Sequence, residues 1–96
     1  MNKITYTNHA LLRLKIREIN KDEVVQAIKS PLQLYLDTIT KNLIAISPRS
    51  IKKNHYLLIA YTIEDNNIKV ITIIDTVSIN KLAEKRVKKG RWVKIK

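Results

Sequence analysis

The chain has 96 residues, 45% of them hydrophobic, with two prolines, one glycine and no cysteine. That suffices for one domain with a modest core, and it excludes disulfides, thiolate zinc sites and a cysteine nucleophile. Nineteen Lys and Arg against eight Asp and Glu leave a net charge of +11, which concentrates anions at the surface at some cost in self-repulsion.

Met1 to Asn8 lacks the apolar stretch of a leader, and no segment approaches the roughly 20 apolar residues that span a bilayer. The expectation is one cytoplasmic domain over residues 1–96 with no membrane association. Asn8 is placed to cap a helix over about His9–Arg17, and Asn20 opens a second, with Glu23 three residues on as its capping-box partner. The second helix carries Val24, Val25 and Ile28 on one stripe. It must stop by Ser30, since Pro31 disfavours helical geometry in the residue before it.

The period then changes to two. Leu32, Leu34 and Leu36 alternate with Gln33, Tyr35 and Asp37, which reads as a half-buried strand, and Leu43–Ile46 is a second, more buried one closed by Pro48. Beyond a basic loop, the runs His55–Ile63 and Ile68–Thr76 flank Glu64-Asp65-Asn66-Asn67, whose asparagines tolerate the left-handed geometry of a hairpin turn. Ile79, Leu82, Ala83 and Val87 recur at helical spacing, and Gly90 stands where a left-handed residue would end that helix. The order α-α-β-β-β-β-α predicts an α+β fold. Its four-stranded, mainly antiparallel sheet would carry the helices on one face, leave the other face or an edge open for a ligand, and end in a basic tail.

The charge is uneven. Ile79–Lys96 holds eight basic residues against the single acid Glu84, so it carries seven of the eleven net charges. A uniform lysine bias does not place charge this way, whereas a phosphate-contacting segment does, and the implied partner is RNA or DNA. The candidate nucleic-acid contacts are Arg86, Lys88, Lys89 and Arg91, together with Arg49, Lys52 and Lys53 of the loop. Trp92 is placed either to stack a base or to anchor the last helix in the core.

On the first helix His9, Arg13 and Arg17 fall within roughly 80° of one another. Ala10 and Leu14 flank this stripe on one side and Leu12 and Ile16 on the other. An imidazole and two guanidiniums between apolar shoulders can grip a phosphate and handle a proton beside it. The competing arrangement pairs Arg13 and Arg17 with acids such as Glu18 or Asp37. Metal-free RNA cleavage needs a base for the 2′-hydroxyl proton, an acid for the departing 5′ oxygen and cations for the charge on phosphorus. His9 and His55, the only histidines, supply such a pair, with Arg13 and Arg17 stabilising charge and Tyr56 and Tyr61 as alternative proton donors. Acids are sparse and no metal-ligand spacing appears, so neither a metal nor another cofactor is expected.

The string His9-Ala10-x-x-Arg13-x-x-x-Arg17-x-Ile19, with Lys21–Ser30 and Pro31 after it, resembles the opening of the family catalogued as domain of unknown function 4258. So does the ending Arg86-x-x-x-Gly90-Arg91-Trp92. Members of that family look like small toxins of the RelE and barnase-like superfamily. The resemblance implies metal-independent cleavage of RNA, free or ribosome-bound, with functional positions at His9, Arg13, Arg17, Arg91 and Trp92. It also implies an antitoxin that presents an acidic, extended segment. Glu18 stands where the family usually has glycine, so a differently built turn is expected between the helices. Two other readings remain: a non-catalytic nucleic-acid-binding protein using the basic C-terminal segment, and a structural protein docking an acidic partner.

Overall fold

The computed structural model describes residues 3–96. In chain order they form β1 (Ile4–Tyr6), α1 (Asn8–Ile16), α2 (Lys21–Lys29), β2 (Gln33–Asp37), β3 (Leu43–Pro48), β4 (Tyr56–Glu64), β5 (Asn67–Thr76), α3 (Ile79–Lys88) and β6 (Trp92–Lys94). One sheet runs β1-β5-β4-β3-β2-β6, antiparallel throughout except that β1 lies parallel to β5. The expected sheet of four strands is therefore corrected to six. β1 and β6 have three residues each, too few to display a period of two, and the start of the expected basic tail is the edge strand β6.

Helices on one face are corrected as well. Ala10, Leu14, Val24, Ala27 and Ile28 of α1 and α2 pack on Leu57, Ile59, Val70 and Ile73. On the opposite face Ile79 and Ala83 of α3 pack on Ile44, Ile46, Leu58 and Ala60. β3 and β4 bury consecutive residues, so both of their faces need cover.

Several local signals hold. Asn20 and Glu23 form a reciprocal capping box on α2. The hairpin closes from Glu64 to Asn67 through Asp65 and Asn66, both left-handed (φ 51° and 66°), the geometry that matches strand twist. After α3, Gly90 (φ +71°) donates to the carbonyl of Val87 at 3.0 Å and Arg91 to that of Arg86 at 2.9 Å. That is the two-bond left-handed cap.

The first helix departs in detail. Its cap is Thr7, not Asn8: the Thr7 hydroxyl accepts from the Ala10 amide at 3.1 Å and donates to the Ile71 carbonyl at 2.8 Å. That carbonyl is turned outward by a bulge, because Thr72 pairs with Ala60 and Val70 with Tyr61. Glu18 ends α1 in left-handed geometry, which a glycine adopts without a side-chain penalty. It has φ 51°, its amide meets the Lys15 carbonyl at 3.4 Å, and Ile19 meets the Leu14 carbonyl at 2.8 Å. Among the described residues no helix is long and apolar enough to cross a membrane.

Candidate nucleic-acid interface

α3 packs across one face of the sheet and leaves a groove of about 300 Å³ toward β5. Leu58, Ala60, Thr72 and Ile74 form its floor, and Arg86 and Arg91 stand on its wall. Arg91 is fixed there. Its Nε donates to both Asp37 oxygens, at 2.9 and 3.1 Å, while Asp37 Oδ1 also accepts from the amides of Ile39 (2.9 Å) and Thr40 (3.1 Å). Burial pushes the Asp37 carboxyl up, but the Arg91 bond, the two amides and the cationic charge outweigh it and hold the group down at about 2. The corner is tied again by Thr38, whose hydroxyl donates to the carbonyls of Gly90 (3.0 Å) and Arg91 (3.1 Å). The terminal nitrogens of Arg91 have no partner among the described residues, and its side chain is 31% exposed.

His9, on α1, touches one residue of the groove, Thr72, without itself being part of the groove lining. Its Nε2 lies 2.9 Å from Thr72 Oγ1, on the floor, and the ring is exposed. Arg13 is half-buried and Arg17 exposed, further along α1. The arrangement that pairs them with Glu18 or Asp37 does not occur: Asp37 holds Arg91, and among the described residues neither Arg13 nor Arg17 forms an ion pair with Glu18. The expected channel along α1 between two apolar shoulders is corrected. Ala10 and Leu14 are buried in the core, whereas Leu12 and Ile16 face solvent.

His55 belongs to a different array. Its Nδ1 donates to Asp75 Oδ1 at 2.7 Å, and Asp75 Oδ2 accepts from Arg49 Nη1 at 2.8 Å. Arg49 Nε and Nη2 each meet one Glu23 oxygen at 3.0 Å, and Nη2 also meets the Glu18 carbonyl at 3.3 Å. Burial pushes both carboxyls up. On Asp75 the hydrogen bonds and charge of His55 and Arg49 outweigh it, and on Glu23 those of Arg49 and the Asn20 amide do, so both end below the ordinary carboxylate value. The bond to Glu23 above all raises the Arg49 guanidinium. Arg49 has no exposed side-chain surface, which corrects its expected role as a phosphate contact: its donors are spent on the fold.

The two histidines do not form one acid–base pair. Thr72 and Asp75 lie three residues apart on β5, about 10 Å along the strand. They face opposite sides, Thr72 with Ala60 under α3 and Asp75 with Leu57 under α1 and α2. Tyr61 is buried on that second side, and burial raises its hydroxyl above the ordinary value. Tyr56 is half-buried against the α3 cluster and is not part of the groove lining.

The remaining basic candidates separate. Lys52 and Lys53 are exposed in the loop before His55, Lys88 lies on the other flank of α3 beside Gln33 and Lys94, and Lys89 is exposed at the helix end. Trp92 borders the groove but is 5% exposed, with its ring 5.2 Å from that of Tyr35. It is a core anchor, so the base-stacking alternative is set aside. Sequence reasoning missed Thr72 and Asp75, and offered Asp37 only as a partner for Arg13 or Arg17 and not for Arg91. Only Asp37 carries a local signal, since its side chain accepts from an amide two residues on, as an Asx turn does. Among the described residues no three His, Asp or Glu side chains gather as a metal site requires.

Fold and site together define a small basic α+β domain in which two arginines border one groove and a histidine is bonded to a threonine of its floor. The sequence pattern of the family described as Domain of unknown function (DUF4258) matches residues 6–82, and the chain belongs to that family. The match takes in His9, Arg13, Arg17, His55 and Thr72 and ends before Arg86, Arg91 and Trp92. No curated protein and no solved structure matches the chain.

Proposed function

We propose that this protein is a metal-independent ribonuclease, the toxin of a toxin–antitoxin pair, that holds RNA in the groove beside α3. One observation carries the reading. Arg91, pinned through Nε by buried Asp37, keeps its terminal nitrogens unpartnered on a groove that also holds Arg86 and Thr72, the hydrogen-bond partner of His9. A guanidinium fixed before substrate arrives need not be ordered during the reaction, which is where such donors are most effective.

The chemistry follows from those groups. With His9 Nε2–H donated to Thr72, Nδ1 carries the lone pair and takes the proton from the 2′-hydroxyl. The 2′ oxygen attacks phosphorus, Arg86 and Arg91 hold the added charge, and the departing 5′ oxygen takes its proton from solvent. The products are a 2′,3′-cyclic phosphate and a free 5′-hydroxyl. The charge of +11 supports this reading, as does the resemblance of the family's members to small RNA-cleaving toxins that the sequence motifs imply.

A second reading has its own observation. His55 is held at Nδ1 by Asp75, the arrangement that orients a catalytic imidazole, and its side chain is 34% exposed. Lys52 and Lys53 stand in the adjacent loop. Incubation of the protein with end-labelled RNA in chelator tests the class: cleavage to 2′,3′-cyclic termini is expected. Salt-sensitive binding without cleavage would leave a nucleic-acid-binding protein in place of an enzyme.

A further inference from the structure

On the flank of α3 away from the groove lies another hollow, of about 440 Å³. Its floor is sheet: Gln33 and Tyr35 of β2, with Lys94 of β6 paired to Tyr35. Its wall is α3. Asn80, Glu84 and Lys88 stand there on successive turns, about 6 Å apart along the axis, and Ala83 and Val87 supply apolar surface beside them. The helix and β2 run in the same sense. α3 starts just past Thr76, whose row crosses the sheet through Tyr56 to Pro48, beyond the start of β2, and it ends beside Trp92, opposite Asp37 at the end of β2. Asn80 therefore shares one end of the hollow with Gln33, while Lys88 and Lys94 lie toward the other. These groups are not engaged by the chain. Tyr35 is 5% exposed, yet its hydroxyl has no hydrogen-bond partner among the described residues, and neither have the side-chain amides of Gln33 and Asn80. Among the described residues neither lysine forms an ion pair, with Glu84 or with any other acid.

We propose that this hollow binds a free nucleoside monophosphate. Its size lies within the roughly 300–1,000 Å³ of small-molecule sites, and its polar groups are few and convergent. Lys88 and Lys94 hold the phosphate as two point charges from different elements. One turn back along α3, Glu84 accepts from the ribose hydroxyls, as a carboxylate does in dinucleotide sites. A further turn back, the amides of Asn80 and Gln33 offer both donors and acceptors to the edge of a base. Tyr35, Ala83 and Val87 cover the flat ring. The order cation, carboxylate, amide along the helix is thus the order phosphate, ribose, base. Other occupants serve fewer of these groups. Inorganic phosphate or an apolar acid leaves both amides and the hydroxyl of buried Tyr35 unpaired, and a cation meets two lysines. The site uses no residue of the groove across α3, so this inference stands or falls separately from RNA cleavage.

The test titrates the full chain with AMP, GMP, CMP and UMP in turn, with the four nucleosides and inorganic phosphate beside them, and follows the side-chain amide resonances of Gln33 and Asn80. At least one mononucleotide should move both, and should bind more tightly than phosphate or its own nucleoside. Lys88→Ala and Lys94→Ala, both at exposed positions, should each weaken it about tenfold or more. Lys15→Ala, which removes the same charge from α1 on the opposite face, should leave it within a few-fold. Glu84→Ala should abolish the preference for the ribonucleotide over its 2′-deoxy counterpart. The proposal is overturned if none of the four mononucleotides binds, if phosphate binds as tightly, if Gln33 and Asn80 stay unmoved, or if Lys15→Ala weakens binding as much as the other two lysine variants. Displacement of the bound nucleotide by one equivalent of RNA without terminal phosphates would put this surface on the path of RNA and overturn it as well.

Discussion

Replacing Arg49 by methionine removes the cation from the array under α1 and α2. Arg49 supplies two bonds to Glu23, one to Asp75 and one to the Glu18 carbonyl, from a side chain with no exposed surface. Without it, Glu23 (13% exposed) and Asp75 (5%) keep two negative charges in one poorly hydrated space. Breaking a buried pair in this way costs about 3–5 kcal/mol. At roughly 4–8 °C per kcal/mol for a domain of this size, the melting temperature should fall by well over 10 °C. The pH dependence has a definite sign. Both carboxyls lie below their ordinary values in the folded protein, so the stabilisation is complete above the unfolded values near pH 4 and is lost as pH falls through the folded ones. Urea unfolding, followed by the fluorescence of buried Trp92, should show the full gap between wild type and variant at about pH 7 and a narrowed gap at about pH 3. A loss under about 1 kcal/mol at neutral pH, or a gap that does not narrow in acid, would show that Arg49 only fills space.

Glu18→Gly should raise stability by about 1 kcal/mol in thermal melts, because the turn already has the left-handed geometry that penalises a side chain; a decrease would mean the Glu18 side chain contributes to the fold. Asp37→Asn should cost about 2 kcal/mol at neutral pH, since the carboxyl is held at about 2 against an ordinary 3.8. That contribution is present above about pH 4 and fades as pH falls toward the folded value, which urea titrations across this range will show or deny. Arg86→Ala and Arg91→Ala should each lower the log–log salt slope of RNA binding by about one, whereas Lys88→Ala, across α3, should change affinity much less. Equal effects of all three would mean that the groove is not the binding surface.

Much of the local structure was legible in the sequence, for particular reasons. Asn20 with Glu23, the turn at Asp65-Asn66 and Gly90 each announce a backbone geometry through chemistry confined to a few residues. The edge strands were not legible, because their pairing is decided by what lies beside them: β1 meets β5 across more than sixty residues, as Ile4 opposite Ile68 shows. Alternation in β2 located the strand but misled about cover, since the leucines took the face that α2 only partly reaches and Tyr35 and Asp37 took the buried one. Arg49 read as a loop cation because its partners Glu23 and Asp75 stand 26 residues away on either side. The stripe of His9, Arg13 and Arg17 follows from helical spacing, yet its link to the groove depends on a bulge that sets Thr72 beside His9.

The central claim is that the groove beside α3 is the catalytic centre and that His9 moves the proton there. Its most direct test is the rate of RNA cleavage in chelator by His9→Ala and His55→Ala, compared at equal folded fraction. His9→Ala should be slowed by about 10²-fold or more with RNA affinity little changed, because the arginines still hold the phosphates, while His55→Ala stays within a few-fold of wild type. An active His9→Ala protein alongside an inactive His55→Ala protein would contradict the account and move the chemistry to the array around Asp75.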